Sequence, residues 1–357
     1  MALTTVQIDL AALRHNLGLV RTAAPGRKIM AVVKANAYGH GLLDCAGALA
    51  GAEGFAVTRI EEALLLRQHF PDHVILVLNP EATNHCWQAC AQHAFSVVIH
   101  SEATAQSLMQ STLTHAVSVW LKVDTGMHRL GIAPESAHAV FHALTASPTV
   151  SRITWMTHLA SADETHNPFT AQQLEAFNRV LHQQPAESSI ANSAGVLAWP
   201  ETHTEWVRPG IMLYGYDPLD APNAISRQLK PVMTLRSEVV GIRDIGTGDS
   251  VGYNNRWKAD RPSRIATIAV GYGDGYPRAA QDGTPVWING QAVPLVGRVS
   301  MDLITVDITG RTDIALGDPV ELWGTSLHIN HIAQCANTIS YELTTRLTAR
   351  PHRVVQD

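Results

Sequence analysis

The chain has 357 residues, 46% hydrophobic and 16% charged, with a formal net charge of -5. That length exceeds the ~100 to 200 residues usual for one domain, so two domains, or a barrel-sized domain with an appendage, are expected. The composition is that of an ordinary soluble globular protein without a basic footprint for nucleic acid, and residues 1–20, broken by Asp9 and Arg14, read as neither signal peptide nor membrane span, which points to the cytoplasm.

Residues 5–9 form a short alternating segment, and Asp9 then stands as the N-cap of a helix with Leu10, Leu13, Leu17 and Val20 on one face, ending near Pro25-Gly26. Residues 29–33 are a continuous apolar run that reads as a buried strand, and Lys34 closes it. Desolvating an ammonium is costly, so a lysine here is paired, neutral or covalently used, unless it simply sits at the wet end of the strand. A helix over 41–49, a strand over 54–58 and a helix over 60–69 follow. Further strands are expected over 74–78, 95–100, 117–123, 153–158, 188–192 and 207–214, most of them separated by helices such as 102–109 and 134–144.

Eight strands alternating with helices over roughly 200 residues point to a (β/α)8 TIM-type barrel in the α/β class, with a doubly wound sheet as the next choice. Barrel chemistry sits at the C-terminal strand ends, which here carry Lys34, Lys122 with Asp124, His158, Asn192 with Ser193, and Arg208. After Gln228 the chain changes to short β runs at 235–242, 264–270, 286–288, 292–296, 304–308 and 319–322, with Asn289-Gly290 as a hairpin turn and a late helix over 329–336. The expected domains are a barrel over 10–228 and a mostly β domain over 229–357 that takes in the N-terminal strand, 1–9. Cys45, Cys86, Cys90 and Cys335 lack paired spacing, and the histidines lack a ligand motif, so neither a disulfide framework nor a metal site is expected.

Six blocks stand out in order: Lys34-Ala35-Asn36-Ala37-Tyr38-Gly39-His40-Gly41, Lys122-Val123-Asp124-Thr125-Gly126-Met127-His128-Arg129, Val207-Arg208-Pro209-Gly210-Ile211, Val251-Gly252-Tyr253, Gly271-Tyr272-Gly273-Asp274-Gly275-Tyr276, and Gly297-Arg298-Val299-Ser300-Met301-Asp302. Together they resemble the bacterial alanine racemases, pyridoxal phosphate (PLP) enzymes of fold type III, across essentially the whole chain. The resemblance implies interconversion of L- and D-alanine, supplying D-alanine for peptidoglycan or degrading it, in a homodimer with shared active sites.

It also implies roles for residues. Lys34 would bind PLP as a Schiff base and act as one base, and Tyr253 of the partner subunit as the other, because racemisation removes a proton from one face of Cα and returns one to the opposite face. A tyrosine with a pKa of ~10 needs assistance, which His158 and Arg208 would supply. Arg208, set against the pyridine nitrogen, would repel a second positive charge there. Tyr38, Ser193, Gly210, Ile211 and Tyr341 would bind the phosphate; Arg129 and Met301 the substrate carboxylate; Lys122, Asp302 and Tyr272 are supporting. Lys122 beside Arg129 implies a carbamylated lysine, and an intact Tyr341 implies alanine over serine.

Some positions depart from the family: Leu159 stands where an aromatic is usual, Ser161 where arginine is common, Asn254 in place of a glycine, and the ending Ala349-Arg350-Pro351-His352-Arg353 is rearranged. The alternatives are a fold-type III PLP amino-acid decarboxylase, which would be expected to carry a cysteine/aspartate pair in the second domain, and a non-catalytic PLP-binding barrel, which would lack that domain.

Overall fold

The computed structural model describes residues 3–357, so residues 1 and 2 of the expected N-terminal strand lie outside the described residues. Strand β1, Thr5–Asp9, buries Val6 and Ile8 on one face. The Asp9 carboxylate accepts a hydrogen bond from Ala12 N at 2.8 Å and caps helix α1, Leu10–Ala23, whose Leu13, Leu17 and Val20 are buried. Such a cap contributes about 1 kcal/mol, and it fixes the corner where the chain passes from sheet to barrel.

Strands β2 (Lys28–Val32), β3 (Gly54–Val57), β4 (Val74–Val77), β5 (Ser96–Ile99), β6 (Val117–Lys122), β7 (Val150–Met156), β8 (Ser188–Ser189) and β9 (Trp206–Val207) form a closed barrel in sequence order. Its seam is the parallel pairing of Lys28 with Trp206 and Ile29 with Val207. Helices α2 (Leu42–Ala48), α3 (Ile60–His69), α4 (Asn84–Gln92), α5 (Glu102–Met109), α6 (Pro134–Thr145), α7 (Phe169–Gln183) and α8 (Ser193–Ala198) alternate with the strands. Parallel strands covered on both faces are apolar throughout, which is why they read from sequence as unbroken runs.

The last two barrel strands are shorter than expected. Pairing stops at Val207 rather than continuing to residue 214: Pro209 has no N–H to donate, and Ile211–Tyr214 coil into a 3₁₀ turn. The Pro209 carbonyl still accepts from Val32 N at 2.9 Å. The strand expected over 188–192 ends at Ser189, and Asn192 instead caps α8, its Oδ1 accepting from Gly195 N at 2.9 Å. Both truncations free backbone at the barrel mouth.

The C-terminal part contains β10 (Met233–Ile245), β11 (Ser250–Val251), β12 (Trp257–Lys258), β13 (Ser263–Ile268), β14 (Pro285–Ile288), β15 (Gln291–Pro294), β16 (Ile304–Asp307), β17 (Pro319–Trp323), helices α9 (Ile329–Cys335) and α10 (Ser340–Thr345), and β18 (His352–Gln356). The main sheet runs β15-β14-β17-β10-β1-β18, with β13 and β16 extending from the far half of β10. Asn289 and Gly290 form the expected hairpin turn, joining Ile288 to its partner Gln291. Helix α10 and strand β18 were not expected from sequence. Cys45, Cys86 and Cys90 are buried and free, and among the described residues no helix is long and apolar enough to cross a membrane.

Candidate active site

Beyond β2 the backbone does something unusual. Ala35, Asn36, Ala37 and Tyr38 have φ of 53°, 54°, 53° and 53°, one turn of left-handed helix directly after Lys34. Each such residue costs about 1–2 kcal/mol, so the turn persists only because its surroundings hold it. Asn36 N donates to Glu62 Oε1 at 2.9 Å, and Leu42 N donates to Asn36 Oδ1 at 2.8 Å. Arg353 Nη2, from β18, donates to Gly39 O at 2.7 Å.

His40 completes the turn from below. Its Nδ1 lies 3.0 Å from the carbonyls of both Ala37 and Tyr38, and its ring stacks on Tyr214 at 4.5 Å. Burial pushes its pKa down to about 3, so the ring is neutral and Nδ1 carries the proton that these carbonyls accept. The turn leaves Lys34 and the Tyr38 ring facing one cavity of about 890 Å³ at the C-terminal mouth of the barrel.

Basic side chains converge on the cavity, whose lining also includes Asp163, Asp217 and Asp220. Lys34 has its pKa lowered by burial and by Arg129, with Glu62 acting in the opposite sense. Lys122, at the end of β6, is pushed down to about 8 by burial and then by Arg208 and Arg129. Arg129 rides on a loop tied by Asp124, whose Oδ1 accepts from Gly126 N and His128 N at 3.0 Å each. Arg208 is buried; burial lowers it to about 9, which leaves it charged at neutral pH.

The Arg208 guanidinium is fixed by Ser189 Oγ and Thr157 O, both at 2.6 Å, and by Ile190 O at 3.3 Å. Its Nη2 also lies 3.4 Å from His158 Nδ1. Burial, then Arg208, Lys122, Arg129 and Lys34, hold His158 well below its usual pKa, so it is neutral. With Nδ1 turned to a donor, its proton belongs on Nε2.

At the other side of the cavity, Gly210 N and Met212 N donate to Ser193 Oγ at 2.8 and 3.3 Å. A Cβ at residue 210 would come within 2.6 Å of the Tyr38 hydroxyl, so only glycine leaves this corner open. Tyr38 packs between Tyr214, at 4.9 Å between ring centroids, and Tyr341, at 5.8 Å. Burial raises the pKa values of Tyr38 and Tyr341, so both keep their hydroxyl protons as donors.

The structure therefore brings together Lys34, Tyr38, Lys122, Arg129, His158, Ser193, Arg208, Gly210, Ile211 and Tyr341 on one cavity. It does not bring Tyr253, Tyr272, Met301 or Asp302 there. Tyr253 is 68% exposed and Met301 53% exposed, both on the β domain. Tyr272 N donates to Ser300 O at 3.0 Å, and Asp302 pairs with Arg350 at 2.7 Å, so these two belong with Met301 on one outer face.

Sequence reasoning missed Asn36, His40, Asp124 as a loop tie, and Glu62. Glu62 could have been found as a carboxylate in the first turn of the helix after β3, beside a strand end that already carried a lysine.

Residues 8–218 match the family model described as alanine racemase, N-terminal domain, and residues 232–355 match that described as alanine racemase, C-terminal domain. The chain is 45% identical over 352 residues to the biosynthetic alanine racemase of Escherichia coli strain K12, covering 98% of each. In structure it is similar to the biosynthetic alanine racemase of Pseudomonas aeruginosa, with a TM-score of 0.97, 42% identity and 100% of both chains covered. It is similar too to alanine racemase from Bartonella henselae with covalently bound pyridoxal phosphate, with a TM-score of 0.91, 33% identity and 100% of both chains covered.

Proposed function

The chain belongs to the alanine racemase family, and from that membership we propose that its barrel mouth interconverts L-alanine and D-alanine through two bases, Lys34 and Tyr253 of the partner subunit. The decarboxylase and carrier alternatives fall away, because the alanine racemase match spans both domains.

The residues present fit PLP. Four basic side chains, Lys34, Lys122, Arg129 and Arg208, line a cavity that has room for an anionic cofactor and a carboxylate substrate. The corner at Gly210, where a Cβ would meet the Tyr38 hydroxyl, is lined by backbone N–H groups and hydroxyls of the kind that cradle a phosphate. Tyr38, Ser193, Gly210, Ile211 and Tyr341 would hold that phosphate, and Lys34 the aldehyde carbon. Bound there, the cofactor supplies an electron-withdrawing ring that acidifies the substrate Cα–H.

The chain's own groups do the rest. Burial and Arg129 favour the neutral amine of Lys34, the form that accepts a proton from Cα. Arg129 orients the substrate by its carboxylate. Arg208 keeps its charge in a buried position bonded to Ser189, Thr157 and Ile190, where it disfavours a second positive charge on a ring nitrogen set against it. Neutral His158 presents Nε2–H to the phenol of the second base.

That second base must lie within hydrogen-bond reach of the opposite face. In one chain Tyr253 does not line the cavity and stands exposed, as Met301 does, which supports a two-fold dimer in which each β domain covers the partner's barrel. Tyr272 and Asp302 would then shape the entrance. We place the enzyme in the cytoplasm, where D-alanine would be supplied for peptidoglycan or removed.

The observation that carries the reading is Lys34 itself, at the end of the first barrel strand in a cavity ringed by Arg129, Lys122, His158 and Arg208. Polarimetry on L-alanine with added PLP tests it. Lys34→Ala is expected to lose visible cofactor absorbance and racemisation together; a borohydride-reducible cofactor adduct surviving in that variant would refute the assignment.

A further inference from the structure

The turn that presents Lys34 is held from behind by a carboxylate that does not itself line the cavity. Glu62, in the first turn of α3, accepts through Oε1 from Asn36 N at 2.9 Å, two residues past the lysine. Asn36 is one of the four left-handed residues and carries the side chain that fastens Leu42 N. The second oxygen, Glu62 Oε2, is buried and has no hydrogen-bond partner among the described residues. A buried acceptor left in that state is costly, and clamping the turn through Oε1 does not require it.

Asp163, Asp217 and Asp220 line the same cavity, but of its charged groups only Arg129, and Glu62 behind the turn, act appreciably on Lys34. Arg129 comes from the loop after β6, Lys122 from the end of β6, Arg208 from beyond β9, and neutral His158 from beyond β7. Tyr38, on the same turn, keeps its proton. Arg129 drives a proton off the lysine, whereas Glu62 acts to retain it. In a racemase whose lysine must both take a proton and give one back, that balance sets how readily the nitrogen holds the proton.

We propose that Glu62 is a positioning residue for Lys34: one oxygen clamps the strained turn that aims the amine, and the other supplies the negative charge that lets the lysine nitrogen hold a proton among cations. The inference rests on Lys34 carrying the cofactor, as proposed above.

The test is a spectroscopic pH titration of the holoenzyme. It follows the pH at which the visible band of the protonated lysine–cofactor linkage moves to the near ultraviolet. Glu62→Gln keeps an oxygen for Asn36 N and removes the charge. Its midpoint is expected below that of the wild type by at least about half a pH unit, roughly a threefold change in proton affinity. Glu62→Asp, which keeps the charge, is expected to return the midpoint toward the wild-type value.

Coincident midpoints for wild type and Glu62→Gln overturn the proposal. So does an equal shift in Glu62→Asp, which would mark a packing effect. Should Glu62→Gln not fold, Glu62→Asp decides alone: an unchanged midpoint supports the proposal and a lowered one overturns it. A wild-type holoenzyme without any visible band would instead remove the reading of Lys34, a failure distinct from either.

Discussion

Gly39 joins the lysine turn to the C-terminal helix, and Gly39→Ala measures how tightly. Its φ is +82°, and an added Cβ would lie 2.1 Å from Thr344 O, 2.8 Å from Thr344 C and 3.3 Å from Thr345 Cα. All three are backbone atoms of α10, so no rotamer change relieves the clash. Left-handed backbone costs an alanine about 1–2 kcal/mol, and forcing packed backbone apart adds about 1–3 kcal/mol, together about 2–5 kcal/mol. Gly26 is the control: its φ is +72° with nothing within 4 Å, so Gly26→Ala incurs only the first cost. Thermal unfolding of the two holoenzyme variants should therefore differ by about 1–3 kcal/mol. Because α10 carries Tyr341, the same displacement should weaken cofactor retention roughly 5- to 150-fold, read from visible absorbance during dialysis. Equal stability of the two variants, with equal cofactor affinity, would refute the argument.

The shared site is tested by mixing Lys34→Ala with Tyr253→Ala by co-expression. Random assembly makes about half the dimers heterodimers, each with one site holding both wild-type bases, so roughly a quarter of all sites should recover activity; a verified heterodimer with none would defeat the shared site. With Tyr341 on the cavity wall, alanine should exceed serine by at least ~10-fold in kcat/KM, since excluding one extra group is worth ~1 to 3 kcal/mol; comparable values would contradict this. Lys122, pushed down to about 8, is partly neutral near neutral pH and able to bond CO2 with loss of a proton, giving an anion for Arg129. The carbamylated fraction should rise as pH rises through about 8, and an unmodified Lys122 in the intact protein at every pH would count against it.

The barrel was legible because its strands are apolar on both faces, and its strand ends delivered Lys34, Lys122, His158, Ser193 and Arg208 to one mouth. What stayed hidden depends on contacts remote in sequence. Strand β18 reads His-Arg-Val-Val-Gln, with little apolar signal, and exists because β1 offers it a partner. Helix α10 is too short for a periodic pattern, yet it holds Tyr341 against Tyr38. The left-handed turn contains no glycine over residues 35–38, so nothing local announces it; Glu62, Asn36, His40 and Arg353 impose it from three directions. Exposure of Tyr253 could not be read from its motif at all.

Strand β1 pairs antiparallel with β10 and parallel with β18, Thr5 standing opposite both Arg236 and His352. It is synthesised before every other described strand, yet its two neighbours emerge only after the whole barrel has left the ribosome. Loop-closure entropy grows only logarithmically with the intervening length, and a barrel already closed shortens the effective loop further. Until residues 352–356 arrive, β1 has a bare edge open to pairing with another chain. Ribosome stalling within the barrel would therefore leave both edges of β1 bare, and stalling over the last few codons would still leave the edge that β18 covers.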